Sequence, residues 1–199
     1  LSLPGEPPKY GLFARDDFGL APSPNVFRVS DLGNVIEVEP NESLAEATAC
    51  EVPIAMNGLI EKAGDVDRFQ FPAKQGQVFD VRVHARSLRS PLDPVLEVHT
   101  LAGSGLASND DSGNPDAYVR FQAPADDTYV VGVRDHLGKG GESYAYRIEV
   151  TPVKPSLTMG LPERQQYVDV TVSVPRNNRT AFLVSASRAD FGGDLNVEI

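Results

Sequence analysis

The most regular feature of this chain is an alternation of apolar and polar residues with a period of two, running from about residue 66 to residue 150. Phe69 and Phe71 fall on one side and Arg68 and Gln70 on the other; Phe79, Val81, Val83 and Ala85 alternate with Asp80, Arg82 and His84. Val119, Phe121 and Ala123 continue the pattern against Tyr118, Arg120 and Gln122, followed by the rows Tyr129, Val131, Val133 and Tyr144, Tyr146, Ile148, Val150. This period marks strands with one buried and one wetted face. Turn residues separate the rows at Gln75-Gly76, Ala102-Gly103, Asp111-Ser112-Gly113, Asp126-Asp127 and Gly138 to Gly141. Many short strands at this spacing predict an all-β chain folded as a jelly-roll-like β-sandwich. Helical character is confined to one turn, where Ser43 caps Ser43–Thr48 and Glu46 completes a capping box.

The flanks read differently. Residues 1–35 carry Pro4, Pro7, Pro8, Pro22 and Pro24, and suggest a linker or the tail of a preceding β module. Short strands are expected at Val26–Val29 and Val35–Val38. Residues 36–152 form the sandwich. Around Pro152–Pro162 the pattern breaks, then resumes in Val168, Val170, Val172 and Val174, in Phe182, Val184 and Ala186, and in Leu195 to Ile199. Three strands cannot cover both faces of a sandwich. Residues 153–199 are therefore expected to start a second, truncated β module, a partial β domain at the C-terminus. The opening Leu1-Ser2-Leu3-Pro4 lacks an initiating Met and a signal peptide, which suggests a piece of a longer exported protein.

Charge narrows the partners. Lys and Arg total 18 against 28 Asp and Glu, a formal net charge of -10 over 199 residues. A nucleic acid calls for a basic stripe to displace its counterions, so none is expected as partner. No apolar run reaches the length of a membrane span. Cys50 is the only cysteine, so no intrachain disulfide can form, and its place before a strand reads as a small apolar filler.

One constellation could carry chemistry. Glu37, Glu39, Asn41 and Glu42 are followed about two dozen residues later by Asp65 and Asp67. Calcium takes six to eight oxygen ligands, and irregular backbone before a strand can gather several carboxylates around one ion. A turn at Pro40-Asn41 with solvated acids is the competing reading. A second acidic stretch, Asn109 to Asp116, has the composition of a turn and lacks the bidentate Glu of an EF-hand. Catalysis finds no support: His84, His99 and His136 show no zinc spacing, and no Gly-x-Ser-x-Gly elbow surrounds a serine. Among the tyrosines at 10, 118, 144, 146 and 167, Tyr118 is the one expected to be exposed, while Tyr144 and Tyr146 share the core-facing row of Ile148.

Several of these pieces stand in an order that resembles the bacterial pre-peptidase C-terminal domain and the related collagen-binding domain of clostridial collagenases. They are Glu37-Val38-Glu39-Pro40-Asn41-Glu42, Gly58-Leu59-Ile60 leading to Gly64-Asp65-Val66-Asp67-Arg68-Phe69, Asp93-Pro94-Val95-Leu96, Leu106 to Asp111, and Phe121 to Tyr129. The resemblance covers Glu37 to Val150. It implies a jelly-roll sandwich appended to secreted enzymes, commonly peptidases, or repeated in large surface proteins. It also implies calcium as the cofactor, with Glu37, Glu39, Asn41, Asp65 and Asp67 on ligand-type positions and Glu42 where relatives carry a shorter side chain. The expectation is a non-catalytic spacer or accessory module of a secreted, cell-surface or periplasmic bacterial protein, stabilised by calcium and flanked by neighbouring domains of the same chain. An accessory domain of a secreted peptidase and a module that binds an extracellular protein or polysaccharide are the alternatives.

Overall fold

The structure, a computed structural model, describes residues 10–111, 113–161, 173, 175–177, 181 and 183–195. The chain divides into two compact units, Leu1–Pro152 and Val153–Ile199.

The first unit opens with four short strands, β1 (Tyr10–Leu12), β2 (Arg15–Asp16), β3 (Gly19–Leu20) and β4 (Asn25–Phe27). β1 pairs with β4 and β2 with β3, both antiparallel. Then come β5 (Asn34–Ile36), β6 (Thr48–Ala49), β7 (Ile54–Leu59), β8 (Val66–Ala73), β9 (Val78–His84), a 3-10 turn at Arg86–Leu88, β10 (Pro94–Thr100), β11 (Gly105–Asn109), β12 (Tyr118–Gln122), β13 (Asp127–Asp135) and β14 (Ala145–Pro152).

From β7 onward successive strands fall mostly in opposite sheets, which is the jelly-roll habit. One sheet has the order β11-β10-β13-β8-β6 and the other β12-β9-β14-β7-β5. Pairing is antiparallel except at one edge of each sheet, where β5 runs parallel to β7 and β6 parallel to β8. Residues 37–47 connect these two edge strands, so the acidic segment passes from the rim of one sheet to the rim of the other.

The inward rows are those the alternation predicts. Phe69, Phe71, Phe79, Val81, Val83, Val119, Phe121, Tyr129, Val131, Val133, Tyr146, Ile148 and Val150 are buried between the sheets. Phe71 meets Phe79 edge-on at 5.4 Å, and Phe79 stacks on Phe121 at 5.5 Å. Full burial of each such ring stabilises the fold by roughly 1.5–3 kcal/mol. The same period-two geometry places Asp67 on the inward row of β8, two residues before Phe69, at the end of the apolar core.

The flanks depart from the simple pattern. The strands expected at Val26–Val29 and Val35–Val38 lie at Asn25–Phe27 and Asn34–Ile36. Ser43–Thr48 forms a hydrogen-bonded turn without helix, in which the Ser43 hydroxyl donates to Glu46 at 2.7 Å and the Glu46 amide donates to the Ser43 carbonyl at 3.2 Å. In the second unit, β15 (Ser156–Gly160) pairs with β16 (Ser185–Ala189), so a strand occupies the stretch where the alternation breaks. Every residue of both strands is exposed. Without a buried face, no alternation is imposed on their sequence. The strand expected at Val168–Val174 falls almost wholly outside the described residues, as does that at Leu195–Ile199.

Candidate metal centre

The edge-to-edge connection delivers Glu37 directly after β5. Its amide donates to the Asn57 carbonyl at 3.0 Å, extending the parallel pairing with β7 by one residue. Its carboxylate is then anchored twice: Oε1 accepts the Leu59 amide at 2.7 Å, and Oε2 accepts the Tyr146 hydroxyl at 2.7 Å. Gly58 makes this approach sterically feasible, because a methyl group there would collide with both the Glu37 carboxylate and the Tyr146 hydroxyl. Two residues on, a cis peptide joins Glu39 to Pro40, and Glu39 Oε2 accepts the Asn41 amide at 3.2 Å.

Asp65 and Asp67 come from the other side, at the entry to β8. Carboxylate oxygens of Glu37, Glu39 and Asp67 all lie within 4.8 Å of one another. Asp67 is fully buried and neither of its oxygens accepts a hydrogen bond; Asp65 is buried with Oδ1 unpartnered, its Oδ2 taking the Glu61 amide at 2.7 Å. Asn41 is also fully buried, with both amide atoms lacking a partner. Glu42 behaves differently: it accepts the Lys62 ammonium at 2.8 Å, at the rim of the cluster.

The electrostatics follow from this crowding. Burial, and then the neighbouring Glu37 carboxylate, push the Asp67 carboxyl up to about 9. Burial and the charges of Glu42, Asp65 and Glu37 raise Glu39. Tyr146 is raised by burial and by Asp67 and Glu37, so its hydroxyl stays a donor. Glu42 is lowered by the Lys62 hydrogen bond. A set of clustered hard oxygens, several of them desolvated and unpaired, fits calcium chemistry: an ion there would supply the missing partners.

Residues 65–135 match the family model of the bacterial pre-peptidase C-terminal domain. Over these residues the chain carries the pattern of a pre-peptidase C-terminal domain. The match begins at Asp65, so the Glu37–Glu42 segment lies before the matched residues. The chain is also 37% identical over 110 residues to a probable subtilase-type serine protease of Deinococcus radiodurans, covering 52% of this chain and 15% of that protein. The chain thus spans only a small part of that relative. Among solved structures, the pre-peptidase C-terminal domain of a collagenase from Bacillus anthracis aligns with a TM-score of 0.44 and 17% identity, covering 57% of this chain and 99% of that one. A periplasmic inhibitor of g-type lysozyme from Aeromonas hydrophila aligns with a TM-score of 0.40 and 16% identity, covering 61% of this chain and 100% of that one.

Elsewhere in and around the sandwich, the other candidates have structural occupations. His84 lies 3.6 Å from Glu149, His99 3.3 Å from Glu97 and His136 3.5 Å from Asp110, each on a different carboxylate. His84, expected to face solvent, is largely covered, because Arg28 reaches over the outer face of its sheet to Glu149. Tyr118 is half-buried: its hydroxyl donates to Asp80 and the Arg82 guanidinium lies 4.7 Å from its ring centroid. In the Asn109–Asp116 loop, Asp116 accepts the amides of Arg86 at 2.7 Å and Ser87 at 3.1 Å, which closes a turn. Burial raises the Cys50 thiol to about 11, as befits an inert filler. Tyr146 carries a role that sequence reading assigned only to packing. Its ring belongs to the core, and its hydroxyl reaches the acidic cluster.

Among the described residues, no helix is long and apolar enough to cross a membrane. Tyr167 lies outside the described residues, as does the side chain of Tyr10.

Proposed function

We propose that this chain contributes a non-catalytic accessory module to an exported bacterial protein, and that one calcium ion bound between the 37–41 segment and the start of β8 stiffens it. One observation carries the reading. Asp67 sits on the core-facing row with both carboxylate oxygens buried and unpartnered, beside the carboxylates of Glu37 and Glu39. A buried carboxylate without a partner is strongly unfavourable, and a divalent cation is the partner this donor set suits. Glu37, Glu39, Asn41, Asp65 and Asp67 would hold it.

When bound, calcium supplies positive charge that neutralises the cluster. The chain's own residues do the positioning: Tyr146 and the Leu59 amide hold Glu37, and the Glu61 amide holds Asp65. Because residues 37–47 bridge the edge strands of both sheets, the ion would tie the entry of the module to its core. The likeness to a subtilase-type protease supports an accessory role beside a secreted peptidase. Tyr118, engaged by Asp80 and Arg82, offers little for stacking on a polymer, which favours the accessory reading over a polymer-binding one.

Isothermal titration of calcium into the chelator-treated chain tests the site. A single saturable binding event, absent from Asp67→Asn, is expected. No heat in the wild type at millimolar calcium would overturn the metal reading.

A further inference from the structure

We infer that Lys62 is a tethered counter-ion of the acidic site, which competes with the metal and so sets its affinity. The inference rests on the calcium reading above. Five carboxylates converge on this region, from Glu37, Glu39, Glu42, Asp65 and Asp67, and the Lys62 ammonium is the one cation that the described residues place among them. It donates to Glu42 Oε1 at 2.8 Å and lies 4.0 Å from the otherwise unpartnered Asp65 Oδ1.

The lysine is not there by chance of a flexible surface arm, because its backbone is pinned. The Lys62 carbonyl accepts the Asp65 amide at 3.2 Å, the Gly64 amide donates to the Gly138 carbonyl at 3.0 Å, and the Gly141 amide donates to the Ile60 carbonyl at 2.8 Å. Gly140 packs so closely on the Lys62 backbone that any side chain there would strike it. The stem of Lys62 therefore starts from a fixed point on the rim of the cluster, with its head exposed enough to swing away.

Two consequences follow from Coulomb's law alone. Without metal, the ammonium relieves part of the repulsion among the carboxylates. With metal, the same charge repels the ion and must be displaced or tolerated, so it lowers affinity. Glu42 belongs to the lysine rather than to the first choice of ligands: it draws Lys62 to the rim and keeps it at hand.

The experiment is a comparison of the full chain with Lys62→Met and Lys62→Arg, read by melting temperature in chelator and by calorimetric titration with calcium. Lys62→Met is expected to melt lower without metal yet bind calcium roughly three- to tenfold tighter, an effect that shrinks as salt is raised. Lys62→Arg, which keeps the charge, is expected to stay near wild type in both measurements. Unchanged or weaker calcium binding by a folded Lys62→Met would overturn the proposal while leaving the metal site standing. A wild type that binds no calcium would overturn the site itself, and the competition with it.

Discussion

The Tyr146 hydroxyl donates to Glu37 Oε2 at 2.7 Å across a sequence separation of 109 residues. This bond joins β14, in the middle of one sheet, to the segment that leaves its edge strand. It sets the orientation of a carboxylate that the proposed calcium site would require. Tyr146→Phe keeps the ring in the core and removes only the donor. It is expected to cost about 1 kcal/mol in stability and to weaken calcium binding by about tenfold, the scale typical of losing an outer hydrogen bond to a metal ligand. Denaturant melts and calorimetry on the same variant check both numbers.

Gly58 gives the same relationship a steric test. A methyl group at this position would meet the Glu37 carboxylate and the Tyr146 hydroxyl, both ends of side chains that can move. Gly58→Ala should therefore fold while displacing Glu37, and calcium affinity should fall more than metal-free stability does. Equal affinity in Gly58→Ala and wild type would mean that Glu37 is not a ligand.

Asp67→Asn separates a metal site from an ordinary buried acid. The substitution replaces a desolvated carboxyl, which burial keeps protonated near neutral pH and which lacks any hydrogen-bond donor, with a neutral amide that incurs no protonation cost on folding. In chelator the variant should be more stable than wild type, by about 1–3 kcal/mol on the scale of an unsatisfied buried polar group. In calcium the order should reverse. Chemical denaturation of both chains, with and without metal, provides the readout.

Acid sensitivity is expected at a different place. Burial alone would raise the Glu149 carboxyl, but the neighbouring His84 ring and the hydrogen bonds from Arg28 and Arg147 outweigh it and hold the group well below the usual 4.5. Arg28 contributes a bidentate pair at 2.7 Å on each arm. A carboxyl depressed in the folded state adds stability above its unfolded pKa and loses it as pH falls through the folded value. Arg28→Met should therefore cost roughly 2 kcal/mol at neutral pH, and the gap to wild type should narrow in strong acid, below about 4.5. Urea melts across that range are the check; a gap independent of pH would show that Arg28 acts through packing instead.

The sandwich was legible because burial writes itself into a period of two. The rows of β9, β12, β13 and β14 appear in the sequence as alternating Val, Phe, Tyr and Ile, and each lies inward. β5 and β6 were harder, being edge strands of three and two residues with little buried surface to shape their composition. β15 was missed for the same reason carried further, since all five of its residues are exposed. At the site, Asp67 shared a strand with Phe69 and its alternation already pointed it inward. Glu42 and Tyr146 were not readable in the same way. The partner of Glu42 is Lys62, 20 residues on, and the role of Tyr146 depends on a hydroxyl meeting a carboxylate from another edge of the fold. No local pattern encodes either contact.

The most direct test of the account is a thermal melt of the chain in excess chelator and then in rising calcium, alongside Asp65→Ala. A ligand that binds only the folded state must raise the midpoint progressively once its free concentration exceeds the dissociation constant. The account predicts such a rise in the wild type and its loss in Asp65→Ala. A wild-type midpoint that stays the same from chelator to millimolar calcium would contradict it, and would leave Glu37, Glu39 and the buried Asp67 as an acidic cluster with no ion to hold.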